Sequence, residues 1–155
     1  MSRLDPRVIT LWRLQGAIRL LTFWLPVSLA VAFPAGVRFG FGAGAAVVGA
    51  ALGFGLVMAV VWPSLRWRAF GYEVRDHDLL VSQGVLFRHT VSVPLSRIQH
   101  VDTRQGPLER SWGLSHVVVY TAAGMSADGS IPGLDEAAAA DLRDTLARRG
   151  GDDGV

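Results

Sequence analysis

Four histidines, at positions 77, 89, 100 and 116, are the side chains whose ordinary pKa lies closest to neutrality, so acid–base or metal chemistry would have to start from them. No two of them stand at the i, i+4 spacing of a helical metal pair, and none belongs to an H-E-x-x-H pattern. His100 and Asp102 fall on one face of a strand, where an imidazole–carboxylate hydrogen bond can form. A dyad still needs a nucleophile, and neither Ser96 nor Ser115 sits in a G-x-S-x-G elbow. Cysteine is absent and all fifteen basic residues are arginine, which removes thiol chemistry and Schiff-base lysines. Gly53 and Gly55 lack the third glycine of a dinucleotide loop and lie within an apolar run. The reading is therefore of a non-enzymatic chain with no cofactor and no metal, its histidines ordinary surface or partly buried residues.

A second set could bind rather than catalyse. Arg88, His89, Arg97, Arg104 and Arg110, set against Asp102 and Glu109, form a diffuse basic region. Arginines at that density can engage an anionic membrane leaflet, each worth ~1 kcal/mol if it reaches the surface. They can equally be solvated strand-edge charges that discourage edge-to-edge aggregation. Gly49 and Gly53 make a G-x-x-x-G among further small residues, a spacing that lets helix backbones approach closely, either within the chain or against a second protein.

The elements that must carry these residues divide the chain in two. Residues 1–72 hold seven Arg and one acid, Asp5, whereas residues 73–155 hold eight Arg and twelve acids. Residues 20–37 are uncharged, and as a helix these 18 residues span ~27 Å, close to the ~30 Å of a hydrocarbon core. Residues 39–65 are a second uncharged run of 27. A chain of 155 residues has no outer layer to cover two such helices in water, so a transmembrane hairpin with spans at about 18–37 and 41–63 is expected, turning at Pro34, Ala35, Gly36 and Arg38. Four Arg before the first span, and Arg66 and Arg68 after the second, place both termini in the cytoplasm. Trp12, Arg19, Trp62, Arg66, Trp67 and Arg68 are the expected membrane-interface anchors. Residues 5–19 either lie on the inner leaflet as an amphipathic segment or extend the first span. With half its residues hydrophobic and 18% charged, the chain is no nucleic-acid arm; its first partner is the lipid bilayer.

From residue 69 the pattern changes to alternation. Strands are expected around 70–74, 79–82, 85–93 (Val85, Phe87, Val91 and Val93 inward), 98–103, 117–120 and 125–131, with a helical turn at 107–112 and a loop from Ala123-Gly124. Pro132 and Gly133 separate the last strand from a helix capped by Asp135, carrying Leu134, Ala138, Leu142 and Leu146 on one stripe and ended by Gly150-Gly151. The domain organisation is thus residues 1–68, an interfacial segment and transmembrane hairpin; 69–150, a cytoplasmic α+β domain, a partly open antiparallel barrel closed by its C-terminal helix; and 151–155, a disordered tail.

Three linked motifs, G-V-L-F-R at 84–88, P-L-S-R-I-Q-H-V at 94–101 and P-L-E-R-S-W-G-L at 107–114, resemble the bacterial pleckstrin-homology-like, membrane-flanked domain family of the YdbS type. The resemblance covers about residues 4–149 and implies two spans before a cytoplasmic domain. It also implies a partner that is a larger membrane protein with related domains, or a homo-oligomer, and a link to envelope stress or antimicrobial-peptide resistance. Phosphoinositide-binding pleckstrin-homology domains use a basic first turn; here that turn is Arg75-Asp76-His77-Asp78, whose carboxylates repel phosphate. The remaining expectations are an interaction module, contacting its partner or lipid through Arg88, Arg97, Gln99, Arg104 and Arg110, or a membrane-tethered sensor of anionic head groups.

Overall fold

A computed structural model of the chain describes residues 1–121 and 129–152. The chain divides into two compact units, Ile9–Leu65 and a second formed by Met1–Val8 together with Arg66–Val155.

The first unit is helical. Helix α1 (Arg7–Arg19) passes through a single π turn (Leu20–Trp24) into α2 (Leu25–Phe39), and α3 (Phe41–Ala69) follows. The π turn has a local cause. Pro26 has no N–H, and its ring crowds the carbonyl four residues back, so the helix widens there and the Leu25 N–H reaches the Leu20 carbonyl. The segment before residue 20 is a continuation of this helix, not a separate piece. Arg13 joins it to α3 through the Val60 carbonyl (3.3 Å) and the Ser64 hydroxyl (2.9 Å).

The reversal expected at residues 34–38 occurs instead at Gly40, whose φ of 94° suits glycine, while Pro34 stays inside α2. Proline's fixed φ is compatible with a helix; only the positive φ ends it. The close contacts between helices are also displaced from Gly49 and Gly53, where an added Cβ would meet nothing within 4 Å. They are made at Gly16, where a Cβ would come 2.9 Å from the Ala59 Cα, at Gly44, where one would come 3.0 Å from the Ala32 carbonyl, and at Gly55, where one would collide with Leu20. Gly49 lines an open apolar groove of about 840 Å³ between α2 and α3, with Leu29, Phe33 and Val48. Arg7–Phe39 and Phe41–Ala69 are each long and apolar enough to cross a membrane, and only 11% of the most apolar stretch of each is buried. Core helices of soluble proteins bury such surface; this pair leaves it for lipid.

In the second unit, β1 (Gly71–Val74), β2 (Asp78–Gln83) and β3 (His89–Pro94) form one antiparallel sheet in that order. A 3₁₀ turn (Leu95–Arg97) leads to a second antiparallel sheet of β4 (Ile98–Arg104), β5 (Leu114–Thr121) and β6 (Gly129–Asp135), with α4 (Pro107–Ser111) between β4 and β5. Helix α5 (Glu136–Asp152) closes the unit. Leu79, Leu95, Leu114, Val117, Val119, Ile131 and Leu146 are completely buried between these layers.

Several sequence expectations shift. Phe87 does not point inward: β3 starts only at His89, and in the preceding turn Phe87 is 88% exposed while Val85 is half-buried. Pro132 and Gly133 lie inside β6, where the register slips between Ser115↔Leu134 and Val117↔Ile131. That bulge needs no ladder donor from Pro132 and uses the positive φ of Gly133, 62°. On α5 the buried stripe is Ala139, Leu142 and Leu146, and Ala138 is exposed, because the helix starts at Glu136. Asp135 caps it through the Ala137 N–H at 3.2 Å, as expected, but the helix runs past Gly150 to Asp152. The Ala123-Gly124 loop, the start of the strand expected at Met125, and most of the C-terminal tail lie outside the described residues.

Residues 1–8 complete this unit. Ser2 and Tyr72 exchange both backbone hydrogen bonds (2.7 and 3.1 Å), and the Asp5 N–H donates to the Gly133 carbonyl at 3.0 Å. Val8 fills the space that a Gly133 side chain would need. Arg7 donates to both oxygens of Asp5 (3.0 and 2.9 Å), to Asp135 (2.6 Å) and to the Trp112 carbonyl (3.3 Å). The hydrogen bonds from Arg7 hold the Asp5 carboxyl below its ordinary 3.8 despite partial burial.

Two outcomes follow for stability. Gly44→Val, pressed on a carbonyl, should cost about 1–3 kcal/mol of overpacking, whereas Gly49→Val should be near neutral, as read from denaturant titration of helicity in detergent. Because the folded pKa of Asp5 is depressed, its contribution is present above its ordinary pKa and lost as pH falls through the folded value. Asp5→Asn should therefore flatten the acid limb of the stability–pH curve below the ordinary carboxylate pKa.

Candidate interaction surface

Strand β4 is an edge strand, and its pairing with β5 slips by one residue: Ile98 opposes Thr121 and His100 opposes Tyr120, leaving Gln99 as the extra residue of a bulge. Behind it lies the C-terminal part of α5. Gly150 permits the approach, since a Cβ there would come within 3.3 Å of the Leu95 carbonyl and 3.4 Å of the Ile98 Cβ. Between strand and helix is a cleft of about 220 Å³ lined by Ile98, Gln99, His100, Val101, Leu146, Ala147 and Gly150. That is below the ~300–1,000 Å³ of small-molecule pockets. Its volume is of the size of one or two side chains.

The proposed contact residues are not one patch. Arg97, in the 3₁₀ turn, and Gln99 stand together at the start of β4. Arg104 ends the same strand, ~20 Å further on at ~3.3 Å per residue. It bonds Asp102 at 3.1 Å and the Tyr120 hydroxyl, with its guanidinium 5.8 Å from the ring centroid, and Asp102 raises its pKa further. Arg110 is exposed on α4, and Arg88 is exposed in the β2–β3 turn of the other sheet.

The histidines are dispersed. His77 and His89 are exposed, and His100 lies beside Tyr120 with centroids 6.1 Å apart. Asp102 bonds Arg104, so the possible His100–Asp102 pair is replaced by a carboxylate–guanidinium one. His116 Nδ1 is 3.1 Å from Glu109 Oε2, which also accepts the Gly106 N–H at 2.7 Å and thereby caps α4. Ser115 is buried in β5, next to His116 in the sequence but on the opposite face of the strand, and Ser96 is exposed. Among the described residues no three acidic or histidine side chains are grouped to hold a metal.

Of the anchor residues, Arg19, Trp62, Arg66 and Arg68 are exposed and Trp12 is half-buried. Trp67 donates its indole N–H to the Leu4 carbonyl at 3.0 Å, with Arg3 over its ring at 5.7 Å. Sequence reasoning missed Arg7 and the cleft wall at Leu146, Ala147 and Gly150. A usable signal was present: Gly150 stands four residues after Leu146, on the same helix face.

An apolar helix pair joined to a two-sheet, helix-closed domain defines a membrane protein that carries a small α+β domain. A family model described as "Bacterial PH domain" matches residues 20–150. The chain is 34% identical to the "UPF0699 transmembrane protein YdbS" of Bacillus subtilis (strain 168), over 95% of this chain and 91% of that relative. No solved structure gives a significant match. The chain belongs to the bacterial PH domain family, as a transmembrane member.

Proposed function

We propose that this protein is non-enzymatic and presents its PH-like domain at the inner leaflet, both termini cytoplasmic, as an interaction module for another membrane protein or a second copy of itself. The observation that carries the reading is the β4 edge with its bulge at Gln99 and the cleft beneath α5. Edge, cleft and the exposed Arg97 offer backbone pairing, a side-chain socket and a charge to one extended segment. The arginine excess flanking the helix pair supports the orientation. A role in envelope stress or antimicrobial-peptide resistance belongs to the same proposal and rests on the family resemblance alone.

Purification of the full chain in mild detergent should recover a stoichiometric membrane partner or a homo-oligomer, and Ala147→Trp, which fills the cleft, should abolish that recovery while leaving the fold intact. A lone monomer at every concentration would count against the proposal.

A second reading, binding of anionic head groups, is favoured by Arg88 and Arg97, both exposed and with no ion pair among the described residues. It expects slower hydrogen exchange across residues 84–90 and 95–99 in anionic than in neutral nanodiscs, a difference that shrinks with salt and vanishes in the Arg88→Glu, Arg97→Glu double variant. Equal exchange in both lipids at low salt would dispose of it.

A further inference from the structure

Among the described residues of the sheet unit, the exposed large apolar side chains are Met1, Leu86 and Phe87, at 67%, 77% and 88%. Every other large aliphatic or aromatic side chain described there is buried or half-buried, so this exposure is local. Leu86 and Phe87 occupy the tip of the β2–β3 hairpin, between Gln83 and His89. The tip is built, not loose. Gly84 has φ 113°, and a Cβ there would collide with the Phe87 carbonyl oxygen, so the turn closes tightly on itself. At its neck the Thr90 hydroxyl donates to the Ser82 hydroxyl at 3.3 Å.

Register places this tip at one end of the sheet. Ser82 is paired with Thr90 on one side and with Gly71 on the other. Gly71 comes two residues after Ala69, the last residue of α3, so the hairpin points from the end at which the chain arrives from its apolar helix. Met1 lies at the same end, its Sδ 3.6 Å from where a Gly71 Cβ would be. Along the chain around the tip no acid occurs from residue 79 to residue 101, and Arg88, next to Phe87, is exposed; the nearest acid on the neighbouring strand, Glu73, is paired with the Met1 amino group at 3.6 Å.

We infer that Leu86 and Phe87 insert into the interfacial layer of the bilayer that the chain spans, with Arg88 among the head groups, so that the hairpin tip pins the domain to the membrane. An apolar pair beside a cation matches the bilayer's own order, acyl chains below and anionic groups above. The tether keeps that surface always near, which favours lipid over a second copy as the occupant. The inference goes beyond both functional readings: it needs no partner at β4, and its driving force is apolar burial, not head-group charge.

The absence of cysteine makes the test direct. Leu86→Cys, with Phe87 intact, and Ser130→Cys, on the exposed face of β6, are placed singly in the full chain and reconstituted in nanodiscs of mixed zwitterionic and anionic lipid. Each is reacted with a membrane-impermeant maleimide, and each rate is divided by the rate of the same variant after denaturation. The normalised rate at position 86 should be about tenfold slower than at position 130, equivalent to ~1.4 kcal/mol, and adding Phe87→Ser should restore it. Phe87→Cys, with Leu86 intact, should repeat the protection. Equal rates at positions 86 and 130 would overturn the inference. So would protection that depends on two copies sharing a disc, accompanied by disulfide formation between Leu86→Cys chains, since the occupant would then be a second copy.

Discussion

Hydrocarbon offers a backbone no hydrogen-bond partner, and that constraint organises the whole chain. It requires the apolar segments to satisfy their polar groups within themselves, and the polar side chains there do so. Thr22 donates to the Ile18 carbonyl and Ser28 to the Leu25 carbonyl, both at 2.8 Å. The π turn accommodates Pro26 without leaving the helix, and Gly40 confines the reversal to one residue. The same constraint explains why no acid occurs from residue 6 to residue 72. A carboxylate has neither a long stem to reach water nor a favourable charge at an anionic leaflet, whereas arginine has both.

That segment is inserted in its neighbouring domain, not merely attached in front of it. The sheet unit takes in Met1–Val8 as well as Arg66–Val155, so the helical segment leaves from and returns to one body. Both junctions are fastened within that body. On the outgoing side, Val8 is buried beside Gly133 and Arg7 bridges Asp5 and Asp135; on the returning side, Trp67 holds the Leu4 carbonyl. The positive φ of Gly133 therefore does two things: it forms the β6 bulge and clears the space Val8 occupies. A domain started at residue 69 would lack Leu4 and Val8, which are 2% and 1% exposed.

Much of this could be read from the residues because solvation patterns are local. Uncharged runs, alternation around residues 70–74 and Asp135 before an apolar helix each carry their own signal. The turn at Gly40 was obscured by Pro34, which breaks helices in water but sits within α2 here. Gly49 and Gly53 carry the familiar spacing, yet the contacts fell to Gly16, Gly44 and Gly55, because rotation about the helix axis depends on what α2 presents, which spacing along α3 does not encode. The basic residues illustrate the same limit. Arg97 and Gln99 are neighbours in sequence and remain so in the fold, whereas Arg104 is drawn to Asp102 and Tyr120 by strand geometry that only the β4–β5 register reveals.

The β4 edge raises a question that the bulge alone cannot answer, since bulges also protect free strands from unwanted pairing. The second sheet has an outer strand on each side, β4 and β6, and both carry a bulge. On β6 the irregularity contains a proline, is stiffened by a positive-φ glycine and is covered by residues 5–8 of the same chain, with the Gly133 carbonyl accepting the Asp5 N–H. At β4 no such cover is formed among the described residues. The bulge at Gln99 opens onto a cleft whose far wall is α5, and Gly150 brings that helix within van der Waals reach of Ile98. Protection would favour closing the space with a larger side chain at Ala147 or Gly150, and both positions are small. A free edge with a preserved concavity behind it is the arrangement expected of a strand built to receive another.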